Sequence, residues 1–163
     1  MLGDNADLIE KPAIAAAISA FLTIELTKRE DDLVVLTGMD IGFQEEFRLG
    51  DRLAFESPLR YVEAVYQRLE EGVDSGFEAV IPSEIPISAG LSSSAALCIA
   101  SIRVLSRAYS IPLTPGEIAE LAFQIESGDL EVECGRMDQY AIAFGGITYI
   151  HTGAEAGVEK LPG

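Results

Sequence analysis

The run Pro86-Ile-Ser-Ala-Gly-Leu-Ser-Ser-Ser-Ala-Ala96 constrains this chain more than any other. Before it, Phe77 to Ile87 alternates apolar and polar residues as a strand does. After it, Ser94 to Tyr109 carries apolar residues on most faces, the pattern of a buried helix. Between strand and helix stand a glycine and three hydroxyls. Gly90 lets the backbone turn tightly and approach a ligand closely. Ser92, Ser93 and Ser94 bring hydroxyls and backbone N–H groups to the mouth of the helix, where the unpaired N–H groups and the helix dipole favour an anion. Such a turn is a phosphate cradle without a lysine. The same residues also suit an ordinary capped helix start, so the remainder of the chain has to distinguish the two.

The other segments predict a mixture of strands and helices. Pro12 to Thr27 runs from alanine-rich to β-favouring residues and is expected to be strand for most of its length, although the alanines also allow helix. Asp31 and Asp32 mark a turn before a strand at Leu33 to Thr37, and Glu45 to Leu49 is a short strand. Apolar residues at Leu59, Val62, Val65, Tyr66 and Leu69 predict a helix over Pro58 to Glu71, with Pro58 tolerated near the first turn. Thr114-Pro-Gly-Glu117 is a capping box that opens a third helix, running to about Ser127. An acidic loop follows from Gly128 to Met137, then a short helix from Asp138 to Phe144. Gly145-Gly146 breaks that helix, and Ile147 to His151 reads as a strand. There is no internal repeat and no low-complexity tract. The class is α+β, with hairpin-type strands grouped early.

Composition excludes more than it identifies. The 163 residues fit one domain of ordinary size, and 48% hydrophobic residues are enough for a core. Acidic residues outnumber basic ones 27 to 11, a formal net charge of -16. That surface speaks against nucleic acid and anionic membranes as partners, since both require basic patches. The apolar stretch from Pro12 to Ile24 is too short and too interrupted to span a bilayer. Cys98 and Cys134 form no zinc motif, and the lone His151 cannot complete one. Both cysteines are expected to be reduced thiols in a cytoplasmic protein. The acidic start does not resemble a signal peptide.

Two further runs carry chemistry. Ala122-Phe-Gln-Ile-Glu-Ser-Gly-Asp-Leu-Glu-Val-Glu-Cys-Gly-Arg-Met-Asp-Gln-Tyr-Ala141 joins the end of one helix, near Glu126, to an aspartate at Asp138. Leu2-Gly-Asp-Asn-Ala-Asp7 precedes Glu10-Lys-Pro-Ala-Ile-Ala-Ala-Ala-Ile18. Together with the serine-rich turn, these resemble the GHMP kinases, small-molecule kinases that include galactokinase, homoserine kinase and mevalonate kinase. Pro86 to Ala96 is similar to the family's second motif. Cys134-Gly-Arg-Met-Asp-Gln139 is similar to the Cys-Gly-x-Met-Asp-Gln of galactokinases. Leu2 to Asp7 resembles the first motif, Gly-Glu-His-x-Asp, with Asp4 in place of glutamate and Asn5 in place of histidine. Lys11-Pro-Ala-Ile resembles the corresponding run of some mevalonate kinases. The matches extend from Gly3 to Gly146.

The resemblance implies a ribosomal-protein-S5-domain-2-like fold, a mixed sheet with helices on one side, and a single ATP-binding N-terminal domain over residues 1–163. It implies ATP and Mg²⁺ as cofactors. Gly90, Leu91, Ser92, Ser93, Ser94 and Ala95 would hold the nucleotide phosphates, and Ser94 and Glu126 match the positions at which the family holds Mg²⁺. Asp138 matches the catalytic aspartate, which accepts or orients the proton of the substrate hydroxyl. Asp4, Asn5, Asp7 and Asp138 would contact the substrate. Duller roles stand beside these. Glu126 could be a solvated residue near a helix end, Asp138 an N-cap, and Asp7 a disordered terminal residue. Arg136 could face phosphate, although the family match does not require it.

The family's first strand, with its basic residue, and its C-terminal domain, with a third glycine-rich motif, are not matched. The chain is therefore expected to be an N-terminal half whose partners are a nucleotide and a small hydroxylated substrate, and which could pair as a homodimer or with a separate C-terminal half. Three functions follow from the resemblance. One is a galactokinase-like sugar kinase, favoured by Gly-Leu-Ser-Ser-Ser-Ala, Asp7 and Met-Asp-Gln. Another is a mevalonate kinase-like enzyme, favoured by Ala6 and the Lys11-Pro-Ala-Ile run. The last is a non-catalytic ATP-binding or dimerising remnant.

Overall fold

A computed structural model describes residues 11–19, 21–81, 92–151 and 156–162. Asp4, Asn5, Asp7, Gly90 and Leu91 lie outside the described residues. The chain divides into two compact units, one of Ala20–Pro112 and one of Met1–Ser19 with Leu113–Gly163. Both mix strands and helices, and the α+β class holds. Among the described residues no helix is long and apolar enough to cross a membrane.

The Ala20–Pro112 unit contains β2 (Glu25–Lys28), β3 (Leu33–Gly38), β4 (Phe43–Arg48), α1 (Arg60–Leu69), β5 (Phe77–Ile81) and α2 (Ser93–Ala108). Its strands lie in the order β2-β5-β3-β4. β3 and β4 form an antiparallel hairpin from Leu33↔Arg48 to Gly38↔Phe43. β5 runs parallel to β3, beginning at Val34↔Phe77, and antiparallel to β2. A parallel neighbour needs a long crossover, and β4 and α1 provide it. The period-two pattern fixes which face is inside: Val34 and Leu36 of β3 and Phe77, Ala79 and Ile81 of β5 are buried. α1 buries Val62, Val65, Tyr66 and Leu69 at the spacing the sequence predicts, and α2 buries Ala95, Cys98, Ile99, Ile102 and Leu105.

The rings of Phe47, Tyr66, Phe77 and Tyr109 form a continuous chain, with successive centroids 5.1, 6.1 and 6.3 Å apart. The Tyr109 hydroxyl donates to the Ser75 carbonyl at 2.8 Å, so a buried ring carries a satisfied polar tip. Gly76 enters β5 against β3 so closely that a Cβ there would stand 2.1 Å from the Leu33 carbonyl oxygen. Only glycine allows that approach.

One polar cluster lies at the β4–α1 connection. Glu63 of α1 is 2% exposed and accepts a hydrogen bond from the Ser57 hydroxyl. Its carboxyl lies near that of Glu45 on β4, beside a cavity of about 440 Å³ that Asp51, Arg52 and Phe55 help to line. Burial, reinforced by Glu45, pushes the Glu63 carboxyl up to about 7. A carboxyl whose folded-state value is raised binds its proton more tightly when folded. Its contribution is therefore complete below the unfolded value of about 4.5 and is lost as pH rises through about 7. Glu63→Gln should remove that loss. In urea unfolding at pH 5 and pH 8, wild type should lose about 1–2 kcal/mol more than the variant across the interval, after allowance for water in the open cavity. Parallel losses would show that the two carboxyls do not share a proton.

The other unit contains β1 (Ala13–Ala16), α3 (Pro115–Gln124), α4 (Met137–Phe144), β6 (Ile147–His151) and β7 (Gly157–Lys160). The strands form an antiparallel sheet in the order β1-β6-β7. The long strand expected over Pro12 to Thr27 is two short ones, because β1 pairs with β6 while β2 pairs with β5 in the other sheet. A strand cannot serve both ladders without a break. β7 is a strand that the sequence did not suggest. Its Gly-Val-Glu-Lys has little apolar signal, and pairing with β6 creates it.

Candidate active site

In the first unit, the described part of the serine turn begins at Ser92. Ser92 occupies the N-cap of α2 with φ 56 and ψ 40, the left-handed region that a residue with a side chain seldom adopts. Ser93 and Ser94 are the first two residues of the helix, and Ala95 is buried behind them. The Ser92 carbonyl accepts from the Ala96 N–H at 3.0 Å, closing the first turn. A non-glycine residue held in this region is a form of local strain that clusters at functional sites. Its effect here is to start α2 abruptly, with three serines in succession at the end where helix N–H groups are unpaired.

In the second unit, Glu126 and Asp138 sit on consecutive helical segments. The capping box is formed: Thr114 N–H donates to Glu117 Oε2 at 2.7 Å, and Glu117 N–H donates to Thr114 Oγ1 at 3.3 Å. Pro115 takes the first helical position. α3 continues into a π-helical turn at Ile125–Asp129, a rare deviation found frequently at functional sites. Glu126 lies in this turn and is 1% exposed. Burial overturns the reading of Glu126 as a solvated helix-end residue. Gln139 Nε2–H donates to its Oε2 at 2.5 Å, and Gln139 is equally buried.

Asp138 is the second residue of α4 and is half-buried. The N-cap is Arg136, so Asp138 does not act as the cap. Within the first turn its negative charge is favoured by the helix dipole.

Arg136 has a different role from the phosphate contact that the sequence left open. Its Nε and Nη2 donate to the two Glu120 oxygens at 3.0 and 3.1 Å, and its guanidinium lies 4.0 Å over the Phe123 ring. The Tyr140 hydroxyl donates to Glu120 as well, at 3.1 Å. Arg136 holds the Glu120 carboxyl below its usual range. Burial, reinforced by Glu120, pushes the Tyr140 hydroxyl up to about 12. Glu120 thus ties α3 to residues on both sides of Asp138. Sequence reasoning missed Glu120, Tyr140 and the role of Gln139. Glu120 follows the capping-box Glu117 by one helical step, and Arg136 is the basic residue of an otherwise acidic loop. That charge pairing was the available signal.

Cys98 and Cys134 form no disulfide. His151 Nε2 lies 3.2 Å from Glu159 Oε1 across the β6–β7 pair. Among the described residues no cluster of three or more histidine, cysteine or acidic side chains could hold a metal by itself.

Comparison with known proteins identifies the family. The family described as GHMP kinases N terminal domain matches residues 60–146. The D-glycero-alpha-D-manno-heptose 7-phosphate kinase of Campylobacter jejuni is 30% identical over 138 residues, covering 83% of this chain and 41% of that protein. The mevalonate kinase of Thermococcus sibiricus is 33% identical over 174 residues, covering 99% of this chain and 51% of that protein. Among solved structures, Lactococcus lactis galactokinase complexed with galactose superposes with a TM-score of 0.88 at 26% identity, covering 99% of this chain and 44% of that one. The chain spans about half the length, or less, of the curated relatives it matches.

Proposed function

The chain belongs to the GHMP kinases, and on that membership we propose that it is the nucleotide-binding part of a kinase that transfers a phosphoryl group from ATP to an alcohol, with a sugar as acceptor class. The observation that carries the proposal is Glu126, a carboxylate taken out of water and bonded to Gln139, the residue next to Asp138. Beside it Gln139 Oε1 is buried with no partner among the described residues. A buried carboxylate next to an unpartnered acceptor fits a hydrated hard cation, which takes oxygen ligands and retains water.

Glu126 would be a ligand of Mg²⁺, with the nucleotide supplying other oxygen ligands, and Ser94 matches the family's other Mg²⁺ position. When bound, Mg²⁺ would neutralise charge on the phosphates during transfer. Gly90, Leu91, Ser92, Ser93, Ser94 and Ala95 would hold the phosphates through N–H groups and hydroxyls at the start of α2. Asp138 would accept or orient the proton of the acceptor hydroxyl. Asp4, Asn5 and Asp7 would contact the acceptor. Cys134 to Gln139 favours a sugar over mevalonate. The acidic composition speaks against nucleic-acid partners, and two cysteines not joined by a disulfide suit a cytoplasmic protein.

Calorimetry of Mg²⁺-ATP on this chain tests the proposal, followed in the same sample by ADP release with sugars, mevalonate and homoserine. Binding that weakens about tenfold or more in Ser94→Ala is expected, consistent with loss of one cation ligand and one hydrogen bond to charge. ADP release with one sugar would name the acceptor, and release with mevalonate would overturn the sugar assignment. Binding without turnover would leave a nucleotide-binding module. Absence of binding would refute the proposal for this chain.

A further inference from the structure

Gln139 is buried to the same extent as Glu126, at 1% exposure, yet it lies on a different segment. Its side-chain amide sits against Glu126 Oε2 at 2.5 Å and 3.9 Å from Cys134 Sγ. The orientation of the amide follows from chemistry. A carboxylate offers only acceptors, so the amide must present its N–H₂ group, because the opposite orientation would set oxygen against oxygen. Gln139 Oε1 is then left buried with no partner among the described residues.

Docking of α3 against α4 does not require this contact. Arg136 and Tyr140 already join α4 to Glu120 of α3. The terminal torsion of a glutamate is soft and broadly distributed, so burial alone does not fix where its oxygens point. The hydrogen bond from Gln139 gives Oε2 a fixed direction.

We propose that Gln139 is the positioning residue for Glu126: its N–H group fixes the carboxylate for a divalent cation, while its Oε1 accepts a hydrogen bond from a water in the cation's shell. This inference rests on the reading of Glu126 as a cation ligand. It accounts for both ends of the amide. The donor end meets the ligand, and a water in the cation's shell would supply the donor that the acceptor end lacks among the described residues. Partners that orient a ligating carboxylate typically change metal affinity by about 10–100-fold when removed.

The test is Mn²⁺ binding to this chain in the presence of AMP-PNP, followed by electron paramagnetic resonance of the free ion, with melting temperature measured on each sample. Gln139→Met keeps the length of the side chain and removes both polar ends. It should weaken Mn²⁺ affinity about 10–100-fold with little change in melting temperature. Gln139→Leu also removes both polar ends, in a shorter side chain, and should weaken it as well. Glu120→Gln loosens the other α3–α4 tie. It should lower the melting temperature and leave Mn²⁺ affinity unchanged.

Wild-type affinity in Gln139→Met, or in Gln139→Leu should the first variant not fold, overturns the positioning role. A loss of affinity that Glu120→Gln reproduces at the same drop in melting temperature also overturns it, because packing would then explain the effect. Glu126→Gln separates the two levels. If it binds Mn²⁺ like wild type, or if wild type binds none, the reading of Glu126 fails and takes this inference with it. If Glu126→Gln weakens binding and the Gln139 variants do not, only the inference fails.

Discussion

Phe77→Ala should destabilise the Ala20–Pro112 unit by about 3–5 kcal/mol, a large fraction of what a domain of this size possesses. Phe77 opens β5, where it is paired with Lys28 on one side and Val34 on the other, and it is 0% exposed. Its ring lies between Tyr66 and Tyr109 in the aromatic chain. Truncation leaves a cavity with ring walls on two sides, and sheet residues cannot move in to fill it without breaking register. The cost should therefore approach the full transfer-plus-cavity value rather than a relaxed one. Urea unfolding followed by tyrosine fluorescence checks this, with Phe77→Leu as the companion variant, expected to lose less than half as much. Equal losses in both would mean that ring shape, rather than buried volume, governs the site.

That prediction depends on contacts that the sequence could not display. The alternation around Phe77 predicts a strand, and the strand is there. The ring neighbours of Phe77, Tyr66 and Tyr109, come from α1 and from the end of α2, and only tertiary packing brings them together. Elements with strong local signals were legible for the same reason in reverse. The capping box at Thr114 and Glu117, the apolar spacing of α1 and the Gly145-Gly146 break act within a turn or two, and each forms where expected. Gly145 and Gly146 both adopt positive φ, at 66 and 73. Elements whose existence depends on a partner were not legible. β7 has almost no pattern of its own, and the division of Pro12 to Thr27 into β1 and β2 follows from two separate ladders.

The candidate site divides along the same line. The residue types and their order were readable: serines at a helix start, Glu126 at a helix end, Asp138 before a short helix. Environment was not. Nothing local shows that Glu126 is buried, since a π-helical turn turns it inward and Gln139 from the next helix meets it. Arg136 illustrates the converse. A basic residue near an expected phosphate site suggests an anion contact, yet its planar fork matches Glu120 bidentately and its face covers Phe123. An arginine so committed is part of the scaffold that places Asp138. The acidic composition makes this more consequential, because with 27 acidic and 11 basic residues few cations are available for structural pairing.

Asp138→Asn should lower phosphoryl transfer by about 10²–10⁴-fold, the usual contribution of a positioned acid–base group, and should leave Mg²⁺-ATP affinity within about threefold of wild type. Asparagine keeps the shape of aspartate and remains acceptable in the first turn of a helix. The fold therefore loses only the charge–dipole contribution, about 0.3–1 kcal/mol. It cannot accept a proton from an acceptor hydroxyl. The expected separation of turnover from binding is what a residue acting on the acceptor, rather than on the nucleotide, would produce. ADP release with the acceptor identified for wild type, measured beside calorimetric nucleotide affinity, gives both quantities from one preparation. If turnover and affinity fall together, Asp138 supports the α4 start or the nucleotide site and is not the group that receives the proton. If turnover is unchanged, the galactokinase-like run from Cys134 to Gln139 owes its resemblance to packing around Gln139, and the base must be sought among Asp4 and Asp7.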